Sequence, residues 1–337
     1  MKSLFKSSVL FAMTFAVTTT TFAQEEKTEE QEKTFNISGS VDTYFRSSEY
    51  APGSSFANLN GFALGMANVI FSYEGEKSGF VADLVFGPRG NDAVFGSTVG
   101  SNPIVNQLYA YYNLSDSFTL TLGNFNTFLG YEVISPVANF NYTTSYMFSY
   151  GPFSHTGIKA DIALSDDISL MLGLLNTTDA TEFQPVGEDF MIGAQLGLFG
   201  QYINYLGGGT YGVSQIDFTG GFNLTEDFYF GINATSYSDD ADTKFSGIAL
   251  YPQYSFSESF GLGARFELFS EEGLGAIGSI SGEGDNTSFT LTGNYTSGNF
   301  ILKPEIRIDT ASGEFYSNAD GATDGLAAFI VAAIYSF

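Results

Sequence analysis

The 337 residues carry 12 Lys+Arg against 37 Asp+Glu, a formal net charge of −25, with one His, no Cys and no Trp. So little positive charge excludes a nucleic-acid partner, and the Cys and His counts exclude disulfide frameworks, thiolate metal sites and multi-His metal centres. Phe (35), Tyr (20) and Gly (39) are too abundant for a disordered acidic chain; with helix formers scarce after residue 34, they favour one large β domain over two ordinary ones.

Lys2 and Lys6 precede a short apolar stretch from Val9 to Val17, and Thr21-Phe22-Ala23 supplies small residues before a cut. This predicts an export signal over 1–23, too short to span a bilayer. Gln24 rather than Cys follows, so no lipid anchor is expected. Residues 24–34 read as an acidic polar linker without a hydrophobic face, and 35–337 as the folded domain.

Strands are predicted over 34–46, 58–73, 78–88, 104–114, 117–126, 155–164, 167–176, 189–198, 201–208, 215–224, 228–238, 244–256, 260–270, 287–297, 299–309 and 326–337. Four segments place three polar residues between two apolar ones: Leu114 to Phe118, Leu164 to Ile168, Leu224 to Phe228 and Phe256 to Phe260. Each reads as a tight hairpin. The turn at Phe199-Gly200 is the weakest, and merging its strands would break the even count. Pro252 and Pro304 fall inside assigned strands, where ladder donors are needed, so each implies a local bulge or an error in the strand assignment.

Side chains alternate along these strands. Phe260, Leu262, Ala264, Phe266 and Leu268 share a face opposite Arg265 and Glu267; Phe300, Leu302, Ile306 and Ile308 oppose Lys303, Glu305, Arg307 and Asp309. Period-two patterning over many segments of about ten residues is the signature of a transmembrane antiparallel β-barrel, here of about 16 strands. Phe118, Phe228, Phe260, Phe300 and Phe337 lie at strand ends, as membrane-interface aromatics would. A soluble β-sandwich would instead bury its aromatics near strand middles.

The pore-lining side chains expected on the inner face are Asp42, Arg46, Asp83, Arg89, Lys159, Asp161, Arg265, Glu267, Lys303, Glu305, Arg307 and Asp309, a mixed and roughly balanced set. The excess acid falls in loops: 179–189, 239–242, 271–285 and 314–324. These acids serve solubility, or they form a mouth that attracts cations and repels anions. None follows an EF-hand pattern.

Residues 127–154 are unlike the other loops. They hold one formal charge, Glu132, and eight aromatics from Phe128 to Phe153. So apolar a loop is costly in water. It is expected to fold inward and narrow the lumen, with Tyr131, Glu132, Tyr142 and His155 on the constriction. The alternative is an extra pair of strands.

Gly130-Tyr131-Glu132-Val133-Ile134-Ser135-Pro136, Asn139-Phe140-Asn141-Tyr142 and Gly151-Pro152-Phe153-Ser154-His155-Thr156-Gly157 resemble the OmpL-like β-barrel porin family of Bacteroidetes-type bacteria. Asp42-Thr43-Tyr44 and Gln107 to Tyr111 are similar too. The resemblance covers roughly 35–337 and implies an outer-membrane porin for passive diffusion, without implying a solute. The ending Tyr335-Ser336-Phe337 resembles the last strand of outer-membrane barrels, which the barrel assembly machinery reads.

No HExxH, Walker loop, GxSxG elbow or dinucleotide fingerprint occurs, and His155 is the only imidazole. The expectation is therefore no enzyme, no metal and no cofactor. The partners expected are outer-membrane lipids, small hydrophilic solutes or ions, the assembly machinery and a possible homo-oligomer. Two other functions stay open: a plugged barrel acting as a surface receptor or adhesin, and an outer-membrane hydrolase using His155.

Overall fold

The computed structural model describes residues 34–94, 104–183, 189–279 and 281–337. The predicted export signal and nearly all of the predicted linker lie outside the described residues. The strands are β1 (Thr34–Arg46), β2 (Gly61–Glu74), β3 (Ser78–Phe86), β4 (Val105–Ser115), β5 (Phe118–Asn126), β6 (Ser154–Ala163), β7 (Ile168–Leu175), β8 (Met191–Leu198) and β9 (Gln201–Gly208). They continue as β10 (Val213–Asn223), β11 (Phe228–Ser238), β12 (Lys244–Ser257), β13 (Phe260–Glu272), β14 (Gly284–Ser297), β15 (Phe300–Ala311), β16 (Tyr316–Asn318), β17 (Gly321–Thr323) and β18 (Gly325–Ser336). Helix α1 (Pro88–Ala93) follows β3, and α2 (Tyr146–Tyr150) lies between β5 and β6.

Sixteen strands close one antiparallel barrel, while β16 and β17 pair separately in the loop before β18. The seam joins β1 to β18, with Tyr44 opposite Ala332. Gly39 and Phe337 exchange two backbone hydrogen bonds of 3.0 Å at its end. Closure leaves the barrel no unpaired edge.

The predicted strands recur one for one. Phe199 and Gly200 take φ of 53° and 79°, the two positive values that match a two-residue hairpin to the strand twist. The bulges expected at the prolines are a correction. Pro252 pairs with Phe230 and Pro304 with Val331. On their other sides the ladders skip, from Leu250–Phe266 to Gln253–Gly263 and from Thr292–Glu305 to Tyr295–Leu302, without a change of register. Proline removes one donor, so only one edge of each strand loses bonds. Bulges occur elsewhere, between Val41 and Thr43 and between Ser255 and Ser257 among others.

The two faces of the strands meet different surroundings. Phe260, Leu262, Phe266 and Leu268 are exposed outward on β13 while Arg265 and Glu267 are buried inward. No helix among the described residues is long and apolar enough to cross a membrane; the strands cross it. Phe260, Phe300 and Phe337 are exposed on the outer face, and Phe118 and Phe228 are half-buried there. The inner face is not uniformly polar. On β18 it presents Ala328, Ile330, Ala332 and Ile334, covered by Tyr44 and Tyr142.

Candidate functional site: the infolded segment and the lumen wall

Residues 127–153 fold into the barrel, and the extra strand pair is not formed: α2 is their only regular element. An irregular backbone inside a barrel must find partners for its N–H and C=O groups. Here the wall supplies them, largely as charges. Glu305 accepts from Tyr142 N at 2.7 Å and Thr143 N at 3.1 Å, and also from Thr143 Oγ1. Glu267 accepts from Tyr146 N and Met147 N, both at 2.9 Å. Asp217 accepts from Gly130 N at 3.0 Å.

The carbonyls are taken by bases. Lys303 Nζ donates to Pro136 O at 2.9 Å and to the carbonyls of Asn139 and Phe140. Arg265 donates to Thr143 O at 2.5 Å and Thr144 O at 3.1 Å, and Arg307 to Thr144 O at 2.6 Å. Arg89 donates to Ile134 O at 2.8 Å and Tyr142 O at 3.0 Å. Arg46 does the same for a second infolded stretch, 47–60, through Ser48 O, Tyr50 O and Ala57 O. The two stretches meet where Thr144 Oγ1 donates to Ser54 O at 2.9 Å.

Glu132 holds the segment together from within. Its Oε2 accepts from Ser145 N and Ser145 Oγ at 2.7 and 2.5 Å, and its Oε1 lies 2.6 Å from Arg265 Nη1. Ser145 in turn caps α2 by accepting from Phe148 N at 3.0 Å. Tyr142 donates from its hydroxyl to Asp42 Oδ2 at 2.5 Å. Tyr131 stacks on Tyr251 with centroids 4.1 Å apart.

Glycines on the inner face make room for these side chains. A Cβ at Gly263 would stand 2.5 Å from the Phe140 ring, and one at Gly65 would stand 1.7 Å from Asp42 Oδ2. A Cβ at Gly193, Gly231 or Gly247 would stand 2.7 Å from Phe128, Tyr131 or Met147 respectively.

Of the twelve wall residues expected from the sequence, Asp42, Arg46, Arg265, Glu267, Lys303, Glu305, Arg307 and Asp309 point inward and are at most 4% exposed. They touch the infolded stretches or one another; Arg307 Nε lies 2.9 Å from Asp309 Oδ2. Arg89 is on α1 rather than on a strand. Asp83 is buried among Asn68 and Asn106, at 3.3 and 2.7 Å. Lys159 and Asp161 differ: they pair at 2.7 Å on β6 with side chains 11% and 28% exposed. Nearby inner-face residues Tyr109, Tyr111, Tyr202 and Tyr229 are also half-buried. Water therefore reaches the wall on β4, β6, β9 and β11, and not on β13 and β15.

His155 opens β6 and is fully buried, with Nε2 3.0 Å from Thr127 Oγ1 and the Phe128 ring 5.0 Å away. Its Nδ1 has no partner among the described residues, so no carboxylate orients the ring as a base would need. Asp217 was missed by sequence reasoning, and Glu271, expected as a solvated loop acid, is instead buried on β13. Asp217 also takes Asn204, Thr219 and Asn233, and Glu271 accepts from Ala276 N and Ile277 N. The available signal was a lone acid on an inner face, between Ile216 and Phe218.

Two recesses adjoin the segment on the long-loop side, of about 620 and 290 Å³, and they share Tyr150, Gly151 and Asp179. Asp179 Oδ1 accepts from Phe153 N and Ser154 N, both at 2.8 Å. Burial pushes its carboxyl up to about 7 against those two bonds.

The fold is that of solved outer-membrane channels. An anion-selective porin from Comamonas acidovorans aligns over 91% of this chain and 100% of its own, with TM-score 0.60 and 11% identity. The outer membrane channel DcaP of Acinetobacter baumannii aligns over 90% and 97%, with TM-score 0.58 and 12% identity. OmpT of Vibrio cholerae in its trimer form aligns over 90% and 99%, with TM-score 0.57 and 13% identity. No curated protein matches the chain. The sequence model described as "Putative beta-barrel porin-2, OmpL-like" matches residues 34–337, so the chain belongs to that family of outer-membrane β-barrel porins.

Proposed function

We propose that the protein is a passive diffusion channel for small hydrophilic solutes or ions, with a water path confined to one side of its lumen. The observation that carries this is the uneven access of water to the inner wall. Arg265 and Glu267 are 0% exposed under the infolded segment, whereas Asp161 across the barrel keeps 28% of its side chain exposed. A barrel of this strand number is wide enough to hold a folded segment and an aqueous channel together. Transport would run down a gradient, with the infolded segment setting the bore.

Planar-bilayer recording tests this. The intact chain should give a steady ohmic current, and deleting 132–150 should raise the single-channel conductance. A second reading is a closed barrel that acts through its acidic loops as a surface receptor. It is favoured by the packing of 47–60 onto 127–153 inside the lumen. That reading requires no ohmic current from the intact chain and a current only after the deletion.

A further inference from the structure

We infer that the solutes of this channel are cations, small ammonium-bearing molecules included, and that anions are turned away at both mouths. The inference rests on the channel reading above and names its solute class.

It rests first on an inventory of the bases among the described residues. From residue 34 onward the sequence holds eight Lys and Arg, and all eight lie in described residues. Arg46, Arg89, Arg265, Lys303 and Arg307 are at most 1% exposed and spend their donors on the infolded carbonyls. A base fixed in this way cannot meet a passing anion. Lys159 is bonded to Asp161 on the lumen wall. Lys244, at the long-loop end, is bonded to Glu272 at 3.0 Å. Lys77 sits in a short turn beside Glu76.

The acids are not consumed in the same way. The short turns carry Asp116, Asp166, Asp167, Glu226, Asp227 and Glu258 against Lys77 alone, and these six are exposed. The long-loop end carries exposed Asp240, Asp242, Glu283, Asp285 and Asp320 against Lys244 alone. Each mouth therefore has a one-signed rim around a low-dielectric wall, which concentrates counter-ions of opposite sign. The interior does not reverse this, because its bases and acids are paired with each other, with backbone or with buried side-chain amides.

The outer recesses add shape to the charge. Their linings include Asp92 and Asp239 and no Lys or Arg, together with the rings of Tyr150, Tyr211, Tyr237 and Phe245. Carboxylates beside aromatic faces attract an ammonium group twice, by charge and by the ring quadrupole. The anion-selective porin of Comamonas acidovorans shares this fold; the charge placement here points the other way.

The test uses the full mature chain in planar bilayers under a KCl gradient. The reversal potential should report a K⁺/Cl⁻ permeability ratio of about fivefold or more at 0.1 M salt, shrinking toward one at 1 M as the screening length falls from about 10 to about 3 Å. Asp166→Asn/Asp167→Asn/Glu226→Gln/Asp227→Asn, on exposed turns that the fold tolerates, should cut the ratio at least by half. Choline chloride in place of KCl should still carry current, and potassium gluconate should shift the reversal further toward K⁺. A clear current with a ratio at or below one overturns this inference and leaves the channel standing. No current at any salt overturns the channel itself, and the inference with it.

Discussion

Arg265 Nη1 lies 2.6 Å from Glu132 Oε1, and this contact ties barrel strand β13 to the infolded segment with both side chains out of water. Breaking a buried pair by removing one partner leaves an uncompensated charge and costs about 3–5 kcal/mol. Arg265→Met alone and Glu132→Leu alone should each lower the unfolding midpoint markedly and raise current noise as the segment loosens. The double variant should recover only the part due to the lone charge, because Thr143 O, Thr144 O and Ser145 N still lose the partners that the pair supplied. Thermal unfolding in detergent beside single-channel recording checks both parts.

Gly263 offers a cleaner way to move the segment. Its missing Cβ is what lets the Phe140 ring lie against β13, and Asn294 Nδ2 holds the Phe140 carbonyl at 2.9 Å close by. Gly263→Val should push the ring off the wall with the barrel ladders intact. Overpacking of this kind costs about 1–3 kcal/mol. The expected readout is a changed conductance with unchanged β content by circular dichroism. Gly261→Val, at a Cβ site 3.6 Å from the same ring, should have a smaller effect.

Lys159 and Asp161 face water, so they should tune selectivity rather than stability. Lys159→Gln leaves Asp161 unpaired on the passage and should raise the K⁺/Cl⁻ ratio; Asp161→Asn should lower it. Each should change stability by less than about 1 kcal/mol, as expected of a partly exposed pair. Reversal potentials and unfolding midpoints of the two variants, measured together, check the contrast with Arg265.

The barrel was legible because its rule is local. Alternation in 260–268 or 300–309 depends only on which side chains face lipid, and the tight turns carry their own polar triplets. The export signal aside, strand count and closure followed from that pattern. The prolines misled because a single sequence does not reveal which edge of a strand needs the missing donor. The site was half legible. The inward parity of Arg265, Glu267, Lys303, Glu305 and Arg307 was readable, and so was the apolar character of 127–154. What these charges touch was not readable, since their partners are backbone groups such as Thr144 O and Tyr142 N, which every residue has. Arg89 was expected on the wall just past the strand predicted over 78–88; β3 ends at Phe86, and Gly87-Pro88 starts α1, which carries Arg89. The glycine seats were visible as inner-face glycines, but nothing local names Phe140 as the occupant of Gly263.

The carboxyl of Asp179 supplies a pH test. It stands in the loop after β7, outside the spanning strands, and holds Phe153 N and Ser154 N at the return of the infolded segment to β6. Burial raises its folded value to about 7, above an unfolded value of about 3.9. The folded chain therefore binds the extra proton between these limits. Stability from this group is fully present below about pH 4 and is lost as pH rises through about 7. Asp179→Asn removes the titration while keeping an oxygen for the two amides. The difference in unfolding midpoint, wild type minus variant, should fall steadily from pH 4 to pH 7 and be flat above pH 8. Because the other acids titrate alike in both proteins, the difference isolates this site. A difference that rises across the same window would mean the two backbone bonds outweigh burial and the carboxylate is the favoured form.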